Sequence, residues 1–364
     1  MDPNNLPPTE IHPAGADLWG LSYQPLGCRA CGQAFLAPAD WEAKLCPHCL
    51  EGQLAPQPAR LRSEPPELLL PFQRGPDNLR PALEKFTSGV WLASDDFSPA
   101  VLQQRLVPIF WPIWLVDGQV SGSWQAEVGF DYQVKSSQEF YASGGWRSRE
   151  VIETRIRWEP RLGGLTRTYN NLTAPAISDQ DRLLAQTGPS PYDQAVPYSA
   201  ETLRGAALRI PDQAPEEAWP QAQSAFERSA AAECQQAASG QHLRGFKLQP
   251  AYAGVNWTQL LVPMYVSYYM DDHGKRVAVM INGTTGKISG RRLASPRKGL
   301  RWAGVSLLLA VALFVLALAV YALGRGALPQ LTVVSPVLWL LGFLAAGFAA
   351  VPAAWPHIWN RRKS

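Results

Sequence analysis

The chain is poor in several features that ordinarily reveal a function. Net charge is only +3 over 364 residues, too little for the whole molecule to gather nucleic acid by its field. Histidine occurs only at His12, His48, His242, His273 and His357, in no recognisable metal or nucleophile arrangement. Neither G-x-S-x-G nor H-E-x-x-H is present, which removes two common hydrolytic sites. The opening stretch MDPNNLPPTEIHP has no basic start and no apolar core, so an export signal is not expected and the head is expected in the reducing cytosol. Cysteine is also sparse, with 5 in all, and four of them fall within 22 residues. That clustering favours a metal site over a disulfide framework. Tryptophan (14) and proline (32) are plentiful instead, giving many anchoring rings and many interrupted elements.

The four clustered cysteines are Cys28, Cys31, Cys46 and Cys49, two C-x-x-C pairs with 14 residues between them. Each pair offers two thiolates from one tight turn, and the intervening segment can fold as a hairpin that brings the pairs together. Four sulfurs at ~2.3 Å close a tetrahedron around zinc and leave no position for water, so such a site is structural. A pair of redox dithiols is the alternative, but no βαβ pattern surrounds either pair. His48 lies inside the second knuckle and is expected as an exposed turn residue. Cys234 stands apart, in register with Trp219, Phe226 and Ala230 on one face of a helix expected over Glu216–Ala238, and reads as a buried core cysteine. Pro220 fits that helix only near its first turn.

At the other end, Trp302–Leu323 and Leu331–Pro356 are runs of 22 and 26 residues without a charged side chain. A bilayer needs about 20 apolar residues in a helix, so the pair reads as a transmembrane hairpin rather than two buried helices of a soluble bundle. Pro336 and Pro352 are expected to kink the second helix. Arg291, Arg292, Arg297, Lys298 and Arg301 precede the first run, Arg361, Arg362 and Lys363 follow the second, and the connection carries Arg325 alone. The positive-inside rule then places both termini in the cytoplasm.

Between these ends the fold class reads as α+β. Residues 1–22 are expected to be disordered, 23–54 to form the metal-binding ribbon, 55–76 a Pro-rich linker, and 77–292 a cytoplasmic domain, followed by helices over 302–323 and 331–356. A short helix is expected from Asn78 to about Leu92. The run Leu106–Val116 reads as a buried strand, and Trp124–Val134 alternates as a half-buried one. Ile152–Trp158 alternates too, with Gly163-Gly164 as the turn to its partner. Leu260–Met270, Val277–Ile281 and Lys287-Ile288 form a second meander with turns at Asp271–Gly274 and Asn282–Gly286. Two related antiparallel meanders with a helical insert are therefore expected. The GTTGK stretch lacks the glycine and Ser/Thr of a phosphate-binding loop and precedes a strand, so it reads as a hairpin turn.

Several stretches carry a resemblance: PPELLLPF from Pro65, VPIFWPIWLVDGQVSGSW from Val107, SPYDQAVPYSAETLRGAALRI from Ser190 and QLLVPMYVSYYMDDHGKRVAVMINGTTGKISG from Gln259. With the four cysteines before them and apolar helices after, they resemble bacterial transcription-factor-IIB-type zinc-ribbon membrane proteins over nearly the whole chain from about Leu26. Thr284 and Val266-Ser267 depart from that pattern at packing positions. The resemblance implies a membrane anchor of the phage-shock or flotillin type, which holds cytoplasmic or membrane protein partners at the bilayer in envelope stress.

The leading expectation is thus a non-enzymatic membrane scaffold with structural zinc. Nucleic-acid binding through the ribbon is the alternative, but from Tyr23 to Leu54 two basic residues (Arg29, Lys44) face three acidic ones (Asp40, Glu42, Glu51), whereas a phosphate-binding face needs clustered Lys and Arg. Asp117, Asp271 and Asp272 are expected at turns as solvated residues.

Overall fold

The strand that opens at Val107 runs on to Ala142, 36 residues without interruption. The computed structural model describes residues 9–12, 19–41, 45–326 and 333–362. Six short strands come first: β1 (Thr9–His12), β2 (Tyr23–Cys28), β3 (Ala34–Pro38), β4 (Leu54–Pro56), β5 (Ala59–Arg62) and β6 (Leu68–Leu69). Helices α1 (Arg80–Thr87) and α2 (Pro99–Gln104) lead into the long hairpin of β7 (Val107–Ala142) and β8 (Gly145–Pro175). Then follow α3 (Gln180–Thr187), β9 (Val196–Pro197), α4 (Ala200–Leu203), β10 (Ala207–Arg209) and α5 (Pro215–Ala238). Strands β11 (His242–Met270), β12 (Arg276–Asn282) and β13 (Ile288–Gly290) precede the closing helices α6 (Pro296–Gly326), α7 (Val334–Phe348) and α8 (Ala350–Arg362).

The α+β reading holds, with the strands gathered differently from the expectation. The two strand groups are one sheet, because β11 runs antiparallel to β7 from Val266↔Val107 to His242↔Gly129. The ribbon belongs to the same sheet: β10 pairs antiparallel with β3 and parallel with β7, giving the order β13-β12-β11-β7-β10-β3-β2-β4. Residues 55–76 are likewise no free linker, since β4 pairs with β2, β5 with β1, and β6 with β11. The β1–β5 pairing also gives a strand to residues 9–12, inside the segment expected to be disordered; most of that segment lies outside the described residues, as do the connection from 327 and the start of the second apolar run at Leu331.

Burial on both faces explains the unbroken apolar run at the start of β7. Ile109, Trp111, Ile113 and Leu115 enter one core, whereas Phe110 enters a second and Trp114 and Val116 a third. Farther along, alternation returns: Val120, Trp124, Ala126 and Val128 are buried beneath Ala222, Phe226, Ala230 and Cys234 of α5. Cys234 is a core residue, as its helical spacing implies. Helix α5 starts at Pro215, so Pro220 lies in its second turn and denies the Glu216 carbonyl its usual partner.

The Gly163-Gly164 turn is a correction. Both glycines lie inside β8, paired with Trp124 and Ser123, and a Cβ on Gly163 would stand 2.6 Å from the Trp124 ring. They make room for an indole. The chain reverses instead at Ser143 (φ 52°) and Gly144 (φ 81°), the two positive φ values of a two-residue type I′ turn. Asp117 is not at a turn either: it lies in β7 beside a register shift, where its Oδ1 accepts the Asn171 N–H at 2.7 Å. The first helix is shorter than expected, a 3-10 turn over Pro76–Leu79 and then α1. The reading of Asn282–Gly286 as a hairpin turn holds: Asn282 Oδ1 accepts the N–H groups of Thr284 and Thr285, each at 3.0 Å.

The sheet grips the closing helices at three points. Ser295 caps α6, its Oγ accepting the Lys298 N–H, and it donates to Asp272 Oδ2, which also accepts the Arg297 N–H at 2.8 Å. Trp359 Nε1 donates to the Arg292 carbonyl at 2.7 Å. Asn360 exchanges hydrogen bonds with both backbone groups of Ala294. Asp272 is therefore a helix-terminus ligand as well as a turn residue. Pro336 falls in the first turn of α7, where no backbone donor is needed, and the interruption comes at Ala349, between α7 and α8 and ahead of Pro352.

Phe226 fills the space between α5 and the long strands with no exposed surface. Replacement by Ala is expected to destabilise the fold by roughly 3–5 kcal/mol, read by chemical denaturation of the detergent-solubilised chain.

Candidate metal centre

Each cysteine pair lies on a tight turn built the same way. The Gly32 N–H donates to the Cys28 carbonyl at 2.9 Å, and the Leu50 N–H donates to that of Cys46 at 3.0 Å. The residue after each second cysteine takes positive φ, Gly32 at 74° and Leu50 at 57°. Glycine does this freely, and Leu50 does it because its side chain is buried in the central core, at 4 % exposure. Strands β2 and β3 carry the first turn, and pairing of Cys28 with Leu54 in β4 brings the second against it.

The four Sγ atoms all lie within 4.8 Å of one another, with Cys28–Cys49 at 3.7 Å and Cys31–Cys46 at 3.8 Å. A tetrahedral ion with metal–sulfur bonds of ~2.3 Å requires sulfurs about 3.8 Å apart. The donor set fits. All four are free thiols, and disulfide pairing would hold sulfurs at only ~2.05 Å. Phe35, at 1 % exposure, packs beneath the cluster with Leu54. Burial raises the Cys46 thiol and pushes Cys31 up to about 11. At Cys49 burial is outweighed by the backbone N–H groups of Gly52 and Glu51, which draw it down to about 7; the Gly52 N–H lies 3.4 Å from its sulfur. Thiols above neutrality hold protons that an ion must displace, so metal uptake releases protons and weakens as pH falls.

His48 is not the exposed turn residue expected. Its Nε2 lies 3.2 Å from Asp179 Oδ2, ahead of α3. Asp179 also meets Arg182 at 2.8 Å and the fully buried Arg209 at 2.7 Å. Arg209 Nε donates to Gln33 Oε1 at 2.9 Å, and a second carboxylate, Asp212, stands 3.4 Å from its guanidinium. Against the effect of burial, hydrogen bonding with His48 and the two guanidinium groups hold the Asp179 carboxyl well below the usual carboxylate range. This polar network fastens the second cysteine turn to β10 and α3. No spacing rule could join residues 33, 48, 179, 209 and 212, so sequence reasoning missed it. Beside it lies a cavity of about 420 Å³, walled by Trp111, His48, Arg182 and Met280.

Two outcomes are expected. A Cβ on Gly52 would stand 2.4 Å from Cys28 Sγ, so Gly52→Ala should lower metal affinity roughly 10–100-fold, measured by competition with a chromogenic chelator. Asp179→Ala leaves the buried Arg209 short of its nearest carboxylate and should cost roughly 3–5 kcal/mol of stability while all four sulfurs still bind metal, shown by elemental analysis beside denaturation. Comparison of the chain with protein-family models, with curated proteins and with solved structures finds no match.

Proposed function

We propose that this chain is a non-enzymatic, membrane-anchored scaffold whose cytoplasmic head holds protein partners at the inner face of a bacterial membrane, with zinc as a structural ion at Cys28, Cys31, Cys46 and Cys49. One observation carries the anchor. Two helical segments, Pro296–Leu323 and Val334–Arg361, are long and apolar enough to cross a membrane, and only 11 % of the apolar window in each is buried. A soluble core helix turns its apolar side chains inward. Here Leu308, Val315, Phe343 and Leu344 are each 60 % exposed or more. So much uncovered hydrocarbon calls for lipid.

The head supports a binding role over a catalytic one. Four thiolates fill a tetrahedral ion and leave no place for water or substrate, so zinc there supplies folding energy and no Lewis-acid step. Carboxylates that stood as loose candidates have structural partners: Asp117 bonds the β8 backbone, Asp271 Oδ1 accepts the N–H groups of His273 and Lys275, and Asp272 holds α6. Basic residues just before α6 and in its first turns, with others at the end of α8, favour a cytoplasmic placement of both ends. A head held at the surface raises the effective concentration of any partner drawn to the same surface. The motif resemblance points to envelope-stress assemblies of the phage-shock or flotillin kind.

Fractionation of bacterial cells tests this reading. The chain should sediment with the inner membrane, resist extraction by high salt and yield to detergent, and proximity labelling from an amino-terminal tag should mark cytosolic and inner-membrane proteins. A soluble chain, or a head trimmed by protease added outside spheroplasts, sinks the anchor; labelling no richer than that of a tagged helical hairpin alone sinks the scaffold.

A further inference from the structure

The ladder between β11 and β7 ends at His242↔Gly129, and among the described residues β8 pairs with β7 alone. From residue 130 to residue 157 the molecule is therefore a two-stranded ribbon. Its apolar side chains are uncovered, with Ile152 at 60 % and Ile156 at 40 % exposure. Such a hairpin is marginal alone in water, and an open strand edge is a template for pairing.

Which backbone groups face outward follows from the turn. A two-residue type I′ turn is closed by a pair that exchanges both hydrogen bonds, here Ala142↔Gly145, and pairs alternate from there. The register runs unshifted to Gly118, so Thr154, opposite Gln133, falls on a non-bonded pair. Its N–H and C=O point away from β7, as do those of Ile152, Ile156 and Trp158. Pro160 obeys the same parity: it has no N–H and stands opposite Glu127, where β7 asks for none.

We propose that the outer edge of β8 pairs antiparallel with the same edge of a second copy of this chain, centred on Thr154. In that register the outward groups of Thr154 bond Thr154 of the partner subunit, and Ile152 faces the apolar side chain at position 156 across the ladder. On the opposite face Glu153 meets an arginine at 155 and Arg149 meets a glutamate at 159, while nearer the turn Arg147 stands against an arginine at 161. Symmetry doubles each pairing. Moving the centre by one residue to 153 sets that glutamate against itself and Arg149 against an arginine at 157; moving it to 155 sets Arg155 against itself. Around Thr154 charge therefore opposes a slip of one residue in either direction. Close to Thr154 the edge carries mixed signs, unlike the single-sign lysine edges that repel pairing. Glu153 and Arg155 are 3.0 Å apart within the strand, and trading one exposed ion pair for another costs little. The dyad is normal to the ribbon, so two copies in one bilayer would pair with the ribbon lying flat over the surface; in detergent that constraint is absent.

The test uses the full chain in detergent micelles, with mass measured by light scattering across a dilution series. The parent should be a dimer. Thr154→Pro removes an outward donor without touching the β7 ladder and should give monomer, with circular dichroism and metal content unchanged. Glu153→Arg and Arg155→Glu should each weaken dimerisation about tenfold, two attractive contacts having become repulsive. A mixture of these two variants should recover the parental dimer, since each supplies the charge the other lacks. A parent that stays monomeric, a dimer indifferent to all three substitutions, or a mixture that fails to recover would each overturn the proposal. None of these outcomes depends on what the head binds.

Discussion

Everything in this molecule is referred to one strand. β7 pairs with β11 along one edge, with β8 along the other, and with β10 near its start. Through β10 it holds the cysteine ribbon, through β11 the turn that caps α6, and through β8 the free ribbon. Its first ten residues are apolar on both faces because three cores meet there. A strand buried on both sides cannot shift by one residue without reversing every side chain. The register of β7 therefore fixes the metal centre, the helix junction and the hairpin at once.

That constraint gives the metal centre a different part from the one it has in a free-standing ribbon. A small cysteine unit alone depends on its ion because it has no core of its own. Here Leu26, Leu36 and Leu50 are buried in cores shared with β7, β10 and β11, and Asp179 clamps His48 to the buried Arg209. An ion held by the four sulfurs would set the geometry of two turns; the sheet and the polar network set where those turns stand. Breaking either leaves the other partly intact, which separates metal affinity from global stability.

Much of this was legible in the sequence, for reasons that also mark the limits. Cys28, Cys31, Cys46 and Cys49 announce themselves because metal ligation demands fixed local spacing, and the closing helices because lipid demands length. The strand at Leu106–Val116 was readable from its short unbroken apolar run and its prolines, and the helix carrying Phe226 and Cys234 from its period. Pairing between remote strands leaves no local trace, so the joining of β7 to β11 and of β3 to β10 was invisible. Gly163 misled because glycine serves two ends: here it yields space to Trp124, while the true turn at Ser143-Gly144 looks weaker. His48 misled because its partner lies 131 residues away.

The junction at Ser295 links fold and proposed function most directly. A head on a flexible tether samples all orientations, and its surfaces are presented at random. Here Asp272, in the turn that follows β11, caps α6, while Trp359 and Asn360 return from α8 to grip the segment 292–294. Both arms of the helical pair are thus bonded to the sheet, at opposite ends of the apolar sequence. Two attachments fix a direction as well as a distance. If the helices cross a bilayer, the sheet is held in one attitude to its surface, and the 36-residue strand, with a contour of roughly 120 Å at ~3.3 Å per residue, carries the ribbon along a set path. Rigid mounting turns a weak edge into a useful one, because partners mounted alike meet with most of their rotational freedom already removed.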